Sequence, residues 1–139
     1  MLSMNIESLP FPVVDILPSI KSHLNASQNL VLQASPGAGK TTIVPLALLD
    51  EPWLVGKKII MLEPRRLAAR MSAKRMADLL GEKVGETVGY QIKADKRQSK
   101  RTKILVVTEG ILTRRLQTDP ELEEFALVIF DEFHERNLQ

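Results

Sequence analysis

The chain has 139 residues, 19 Lys+Arg against 17 Asp+Glu, 44% apolar and 26% charged residues, and no cysteine. Such a composition belongs to a globular domain of ordinary size, and it excludes a disordered or fibrous chain, a disulfide scaffold, a thiolate metal site and a thiol nucleophile. The longest strictly apolar run, Phe125–Phe130, is far short of the roughly 20 residues of a membrane helix, and Glu7 and Asp15 with no leading basic cluster argue against a signal peptide, so a cytoplasmic domain is expected.

Charge is unevenly spread. Lys93, Lys96, Arg97, Lys100, Arg101 and Lys103 crowd one segment against a single acid, Asp95, which suits a polyanionic partner or a solvated face. From Asp119 to Glu135 the charged residues are all acidic, which suits a cation or, again, plain solvent exposure.

In chain order, Met1–Pro12 reads as an irregular arm, since Pro10 and Pro12 oppose regular structure. Asp15 can cap a short helix to about Leu24, with Ile16, Leu17, Ile20 and Leu24 on one face and Pro18 tolerated in its first turn. A polar turn spans Asn25–Asn29. Four short, non-alternating apolar runs follow: Leu30–Leu32, Lys58–Leu62, Ile104–Val107 and Ala126–Phe130. Each is expected to be a parallel strand buried on both faces. Between them lie three helical patterns. The first runs from Gly39 to about Leu49, distorted at Pro45. The second runs from about Arg65 to Leu80, with Ala69, Ala73, Met76 and Leu80 on one face and Gly81 as its stop. The third covers about Gly110–Gln117. Strands alternating with helices predict an α/β fold around a mostly parallel sheet, with ligands bound at the carboxyl ends of the strands.

The residues after each run carry the chemistry. After the first comes Ala34-Ser35-Pro36-Gly37-Ala38-Gly39-Lys40-Thr41-Thr42. A phosphate cradle needs a Gly-rich turn, a helix N-terminus, a lysine for the outer phosphates and a hydroxyl for magnesium; Gly37, Gly39, Lys40 and Thr41 supply them. Ala34 stands where the consensus has its first glycine, which is acceptable at negative φ. After the fourth run, Asp131 and Glu132 are adjacent carboxylates suited to hold magnesium's water shell and to polarise an attacking water. His134 has only His23 for company and no cysteine, so a zinc site is not expected. After the second run, Arg66, Arg70 and Lys74 recur at helical spacing as a basic stripe. After the third, Thr108-Glu109-Gly110 opens a helix that carries Arg114 and Arg115. Both places suit either a nucleic-acid backbone or a solvated helix face.

Together these residues resemble the first RecA-like domain of a DEAH-box helicase of superfamily 2, in the wording of its bacterial HrpB-type branch. The resemblance rests on Met61-Leu62-Glu63-Pro64-Arg65-Arg66-Leu67-Ala68-Ala69-Arg70, on Gly85-Glu86-Thr87-Val88-Gly89-Tyr90, on Val107-Thr108-Glu109-Gly110-Ile111-Leu112-Thr113-Arg114 and on Asp131-Glu132-Phe133-His134-Glu135-Arg136. Phe133 replaces the alanine of the D-E-A-H wording and leaves both carboxylates in place. The resemblance implies a three-layer RecA-like P-loop domain over residues 30–139, preceded by an arm and short helix over 1–29. It implies ATP and Mg2+ as cofactors, with Gly37, Ala38, Gly39, Lys40, Thr41 and Thr42 around the phosphates and Arg75 stacked on the base. Thr41, Asp131 and Glu132 would serve the metal, with Lys40, Asp131, Glu132 and His134 as the catalytic set. Arg65, Arg66, Thr108, Glu109 and Gly110 match the motifs that grip single-stranded RNA by its backbone.

By the same resemblance, a Ser-Ala-Thr motif and a second RecA-like domain with arginine fingers would follow Gln139. The domain is therefore expected to be truncated at its C-terminus, short of a central strand, and inactive in ATP turnover on its own. The alternative is an ATP- and RNA-binding module without turnover.

Overall fold

The computed structural model of the chain describes residues 15–26 and 42–131. The arm Met1–Pro12, the run Leu30–Leu32, the phosphate loop Ala34–Thr41, and Glu132 and His134 lie outside the described residues.

Helix α1 spans Leu17–Ala26, entered through a tight turn at Asp15–Ile16, with Pro18 in its first turn as expected. Helix α2 is only Ile43–Ala47. Pro45 falls within its first turn, where a missing N–H costs least, so the proline shortens the segment more than it kinks it. The chain then tightens, with Leu48 N–H donating to the Pro45 carbonyl at 3.2 Å and Leu49 N–H to that of Leu46 at 3.3 Å.

Strand β1 is Lys58–Leu62 and β4 is Ile104–Val107, both with the expected bounds; β5, Phe125–Phe130, starts one residue early. Helix α3, Arg66–Leu80, buries Ala69, Ala73, Met76 and Leu80 as its periodicity requires. Gly81 ends it at φ 72, a left-handed conformation that glycine adopts without a steric cost, and Glu82 N–H closes on the Ala77 carbonyl at 2.9 Å. Helix α4 is Glu109–Thr118.

The sequence did not announce the hairpin of β2, Val88–Ile92, and β3, Asp95–Arg97. It occupies the start of the basic segment. Glycine and polar residues depress its strand signal. The five strands order as β3-β2-β4-β1-β5, all parallel except β3, which runs antiparallel along β2 at one edge.

Alternate residues of β1 and β4 feed two cores. Ile59, Met61, Ile104 and Val106 pack with α1, α2 and α3, whereas Ile60, Leu62, Leu105 and Val107 pack with Ile111 and Leu112 of α4. A parallel sheet covered on both faces needs this two-sided hydrophobicity, and it makes the domain three-layered. Strand β5 departs from the expectation of full burial. Among the described residues it pairs with β1 alone; its residues are half-buried or exposed, and Phe130 is 57% exposed.

Candidate functional site

Register places the candidate residues side by side. Leu62 of β1 is level with Val107 of β4 and with Phe130 of β5, and Gln91 of β2 is level with Val107. Each following residue therefore emerges at the same edge: Glu63 after β1, Thr108 after β4, Asp131 after β5, and the Lys93–Ala94 turn just past Ile92. Adjacent strands are about 4.8 Å apart, so Asp131 and Thr108 sit two strand spacings apart, with Glu63 between them. Backbone bonds carry the line past the strands: Glu63 N–H donates to the Val107 carbonyl at 2.9 Å and Asp131 N–H to that of Leu62 at 3.1 Å.

Asp131 is 4% exposed, a carboxylate held at a fixed height on the end of a strand. Its oxygen donors suit a hard cation such as magnesium. No cluster of three metal-ligating side chains occurs among the described residues, and the other two members of the expected metal set, Thr41 and Glu132, lie outside them. Of the phosphate-loop residues only Thr42 is described; it is 5% exposed and leads into α2. Gly37, Ala38, Gly39, Lys40 and His134 also lie outside the described residues.

The nucleic-acid candidates divide in two. Thr108 is buried at the N-terminal end of α4, its carbonyl accepting from Leu112 N–H at 3.0 Å, while Glu109 and Gly110 are exposed in the first turn. Arg65 and Arg66 are exposed at the start of α3, and Arg75 is exposed further along that helix. The basic stripe along α3, however, is largely neutralised. Arg70 pairs with Asp95 at 3.0 Å and Lys74 with Asp78 at 3.2 Å. Among the described residues no carboxylate engages Arg65, Arg66, Lys93, Lys96 or Arg114. Lys93, Lys96 and Arg114 share a cleft of about 320 Å³ between the β2–β3 turn and α4, lined also by Gln91, Ala94 and Ile111.

Two polar contacts behind this edge had no clear signal in the sequence. Glu63, 1% exposed, accepts the Ser72 hydroxyl at 3.1 Å, bracing the end of β1 against α3 just ahead of Arg65. Asp95 gathers three donors on one carboxylate oxygen: the Tyr90 hydroxyl at 2.7 Å, Arg70 Nε at 3.2 Å and Arg70 Nη2 at 3.0 Å. The Tyr90 hydroxyl is the first cause holding the Asp95 carboxyl below the usual range, with the Arg70 guanidinium adding to it. Burial, and then the Asp95 carboxylate, push the Tyr90 phenol up.

The DEAD/DEAH box helicase family matches residues 16–138. The chain is 53% identical over 128 residues to the ATP-dependent RNA helicase HrpB of Escherichia coli K12, covering 92% of this chain and 16% of that one. It is 34% identical over 136 residues to a putative pre-mRNA-splicing factor ATP-dependent RNA helicase of Schizosaccharomyces pombe, covering 97% of this chain and 21% of that one. A crystal structure of Escherichia coli DEAH/RHA helicase HrpB superposes with a TM-score of 0.85 at 52% identity, over 91% of this chain and 16% of the other. A second, of the Escherichia coli DExH-box NTPase HrpB, gives 0.86 at 48%, over 98% and 16%. The chain thus spans about a sixth to a fifth of the length of these relatives. The match, and the parallel sheet that lines Glu63, Thr108 and Asp131 along one edge, place this chain in the DEAD/DEAH box helicase family, with a RecA-like fold.

Proposed function

We propose that this chain is the ATP-binding and RNA-gripping first domain of an ATP-dependent RNA helicase, cytoplasmic and acting with a second RecA-like domain. Among the described residues, no helix is long and apolar enough to cross a membrane. Gly37, Ala38, Gly39, Lys40 and Thr41 would cradle the phosphates of ATP on the helix N-terminus behind them, followed by Thr42, with Arg75 on the base. Thr41 and Asp131 would hold magnesium, Glu132 would orient the attacking water, and His134 would couple this site to the second domain. Magnesium, when bound, neutralises charge on the β- and γ-phosphates. Arg65, Arg66, Thr108, Glu109 and Gly110 would take RNA phosphates through cations and the backbone N–H groups that open α4.

The observation that carries this proposal is the alignment of Asp131 with Thr108 and Glu63 on one sheet edge, with Arg65 and Arg66, which no carboxylate engages among the described residues, beside it. Nucleotide and RNA would then meet at neighbouring strand ends, which is what coupling of hydrolysis to movement requires. The test is ATP hydrolysis measured with and without single-stranded RNA, paired with RNA affinity measured against salt. We expect log affinity to fall linearly with log salt, with little change between RNA sequences of equal length. A flat salt slope with strong sequence preference overturns backbone gripping.

A second proposal, binding of ATP and RNA without turnover by these 139 residues alone, is favoured by the exposure of β5. The strand that carries Asp131 is flanked on one side only among the described residues. A shift of about 1 Å at a catalytic group can cost roughly 10²-fold in rate. RNA binding without RNA-stimulated hydrolysis would decide for it.

A further inference from the structure

The Lys93–Ala94 turn is a short connection whose second residue, Ala94, sits at φ 68. A side chain disfavours that left-handed conformation, so something else must hold the turn in shape. The hairpin is also small: β3 is three residues long and, among the described residues, pairs only with β2 at one edge of the sheet. The hydrogen bonds of the Asp95 side chain tie the hairpin together and to the helix behind it. Asp95 opens β3 opposite Ile92, and its carboxylate oxygen reaches both Tyr90 on β2 and Arg70 on α3. Tyr90 itself is 7% exposed and packed into the core, so it is a firm anchor. The bonds to Arg70 bridge 25 residues and fasten the hairpin to the helix that begins with Arg66.

We propose that Asp95 is a positioning residue for RNA: by latching the β2–β3 hairpin to α3 through Arg70 and Tyr90, it fixes Lys93 and Lys96 relative to Arg65 and Arg66, so that both groups meet one phosphate chain. This inference rests on the RNA-gripping role proposed above and adds to it a residue that does not touch RNA. Asp95 and Arg70 are negative and positive in equal measure, so the latch adds no net charge to the surface. Its contribution is preorganisation: two lysines held in place need not be ordered when RNA arrives.

The sign of one substitution separates this from plain electrostatics. Asp95→Asn removes a negative charge beside a basic surface and releases the Arg70 guanidinium, so charge alone would make RNA bind more tightly. The latch demands the reverse. We expect Asp95→Asn to weaken binding of the chain to a fluorescein-labelled oligouridylate by roughly tenfold, with affinity for a fluorescent ATP analogue unchanged. Tyr90→Phe alters no charge and should weaken RNA binding by a smaller factor, which keeps the test open should the Asn variant fold poorly. Tyr90 is the single tyrosine of the chain, so phenolate absorbance reports the latch directly. Its midpoint should lie above the ordinary value of about 10 and fall in Asp95→Asn, while burial and Arg97 act on it as before. Oligouridylate binding that Asp95→Asn leaves equal or tighter, or a Tyr90 midpoint that the substitution does not move, overturns the latch and leaves the RNA-gripping role standing. Absence of RNA binding by the unaltered chain overturns both.

Discussion

In a protein that carries both RecA-like domains, Lys40→Ala is expected to weaken ATP binding by about 10²-fold, whereas Glu132→Gln is expected to leave binding intact and lower RNA-stimulated hydrolysis by roughly 10²–10⁴-fold. The first magnitude follows from losing charge-assisted bonds to the outer phosphates, each worth about 1.5–3 kcal/mol net. The second follows from the role proposed for Glu132: a group that orients and deprotonates the attacking water typically contributes a factor of that size. The two substitutions separate binding from chemistry because the proposed roles differ: Lys40 would meet the ground-state phosphates, whereas Glu132, next in sequence to Asp131, would act on the attacking water. Titration with a fluorescent ATP analogue and steady-state phosphate release measure both. Equal affinity of Lys40→Ala and the unaltered protein would remove the phosphate loop from the proposed site. Undiminished hydrolysis by Glu132→Gln would remove the role of Glu132.

Legibility from sequence followed burial. Lys58–Leu62 and Ile104–Val107 are short apolar runs enclosed on both faces, so hydrophobicity alone marked them with the right bounds. The period of α3 likewise placed Ala69, Ala73, Met76 and Leu80 in the core, and Gly81 at its stop. The strand-end principle then placed Thr108 and Asp131 on one edge before any register was known. The β2–β3 hairpin escaped because its edge strand is polar, and because no Asn-Gly or Asp-Gly turn marks Lys93–Ala94. The fate of the α3 charges was only half legible. Lys74–Asp78 is an i,i+4 pair visible in the sequence. Arg70–Asp95 joins positions 25 residues apart, and only the return of the hairpin against α3 brings them together.

Gly89→Ala is expected to destabilise the chain by roughly 1–3 kcal/mol and to dislodge the hairpin that carries Lys93 and Lys96. The conformation of Gly89 is not the reason, since its φ is not positive. Space is. A methyl group built on Gly89 would run into the Arg97 carbonyl oxygen and would lie 3.1 Å from Gln98 Cβ and 3.2 Å from Gln98 Cα. Two of these three neighbours are backbone, so no side-chain rotation relieves the contact, and overpacking of this kind costs about 1–3 kcal/mol. The strain cannot be taken up by β2, whose Val88, Gly89 and Tyr90 are paired with Ile104, Leu105 and Val106 of buried β4. It must fall on the Arg97–Gln98 side, where the short edge strand β3 would peel outward and carry Asp95 away from Tyr90. For a domain of this size the loss corresponds to a fall in Tm on the order of 5–10 °C, read by circular dichroism. It should be accompanied by a Tyr90 phenol that titrates closer to its ordinary value and by faster amide exchange at Asp95–Arg97. A Gly89→Ala chain with unaltered Tm and unaltered exchange in the hairpin would show that the close approach of Arg97 to Gly89 does not shape this edge of the sheet.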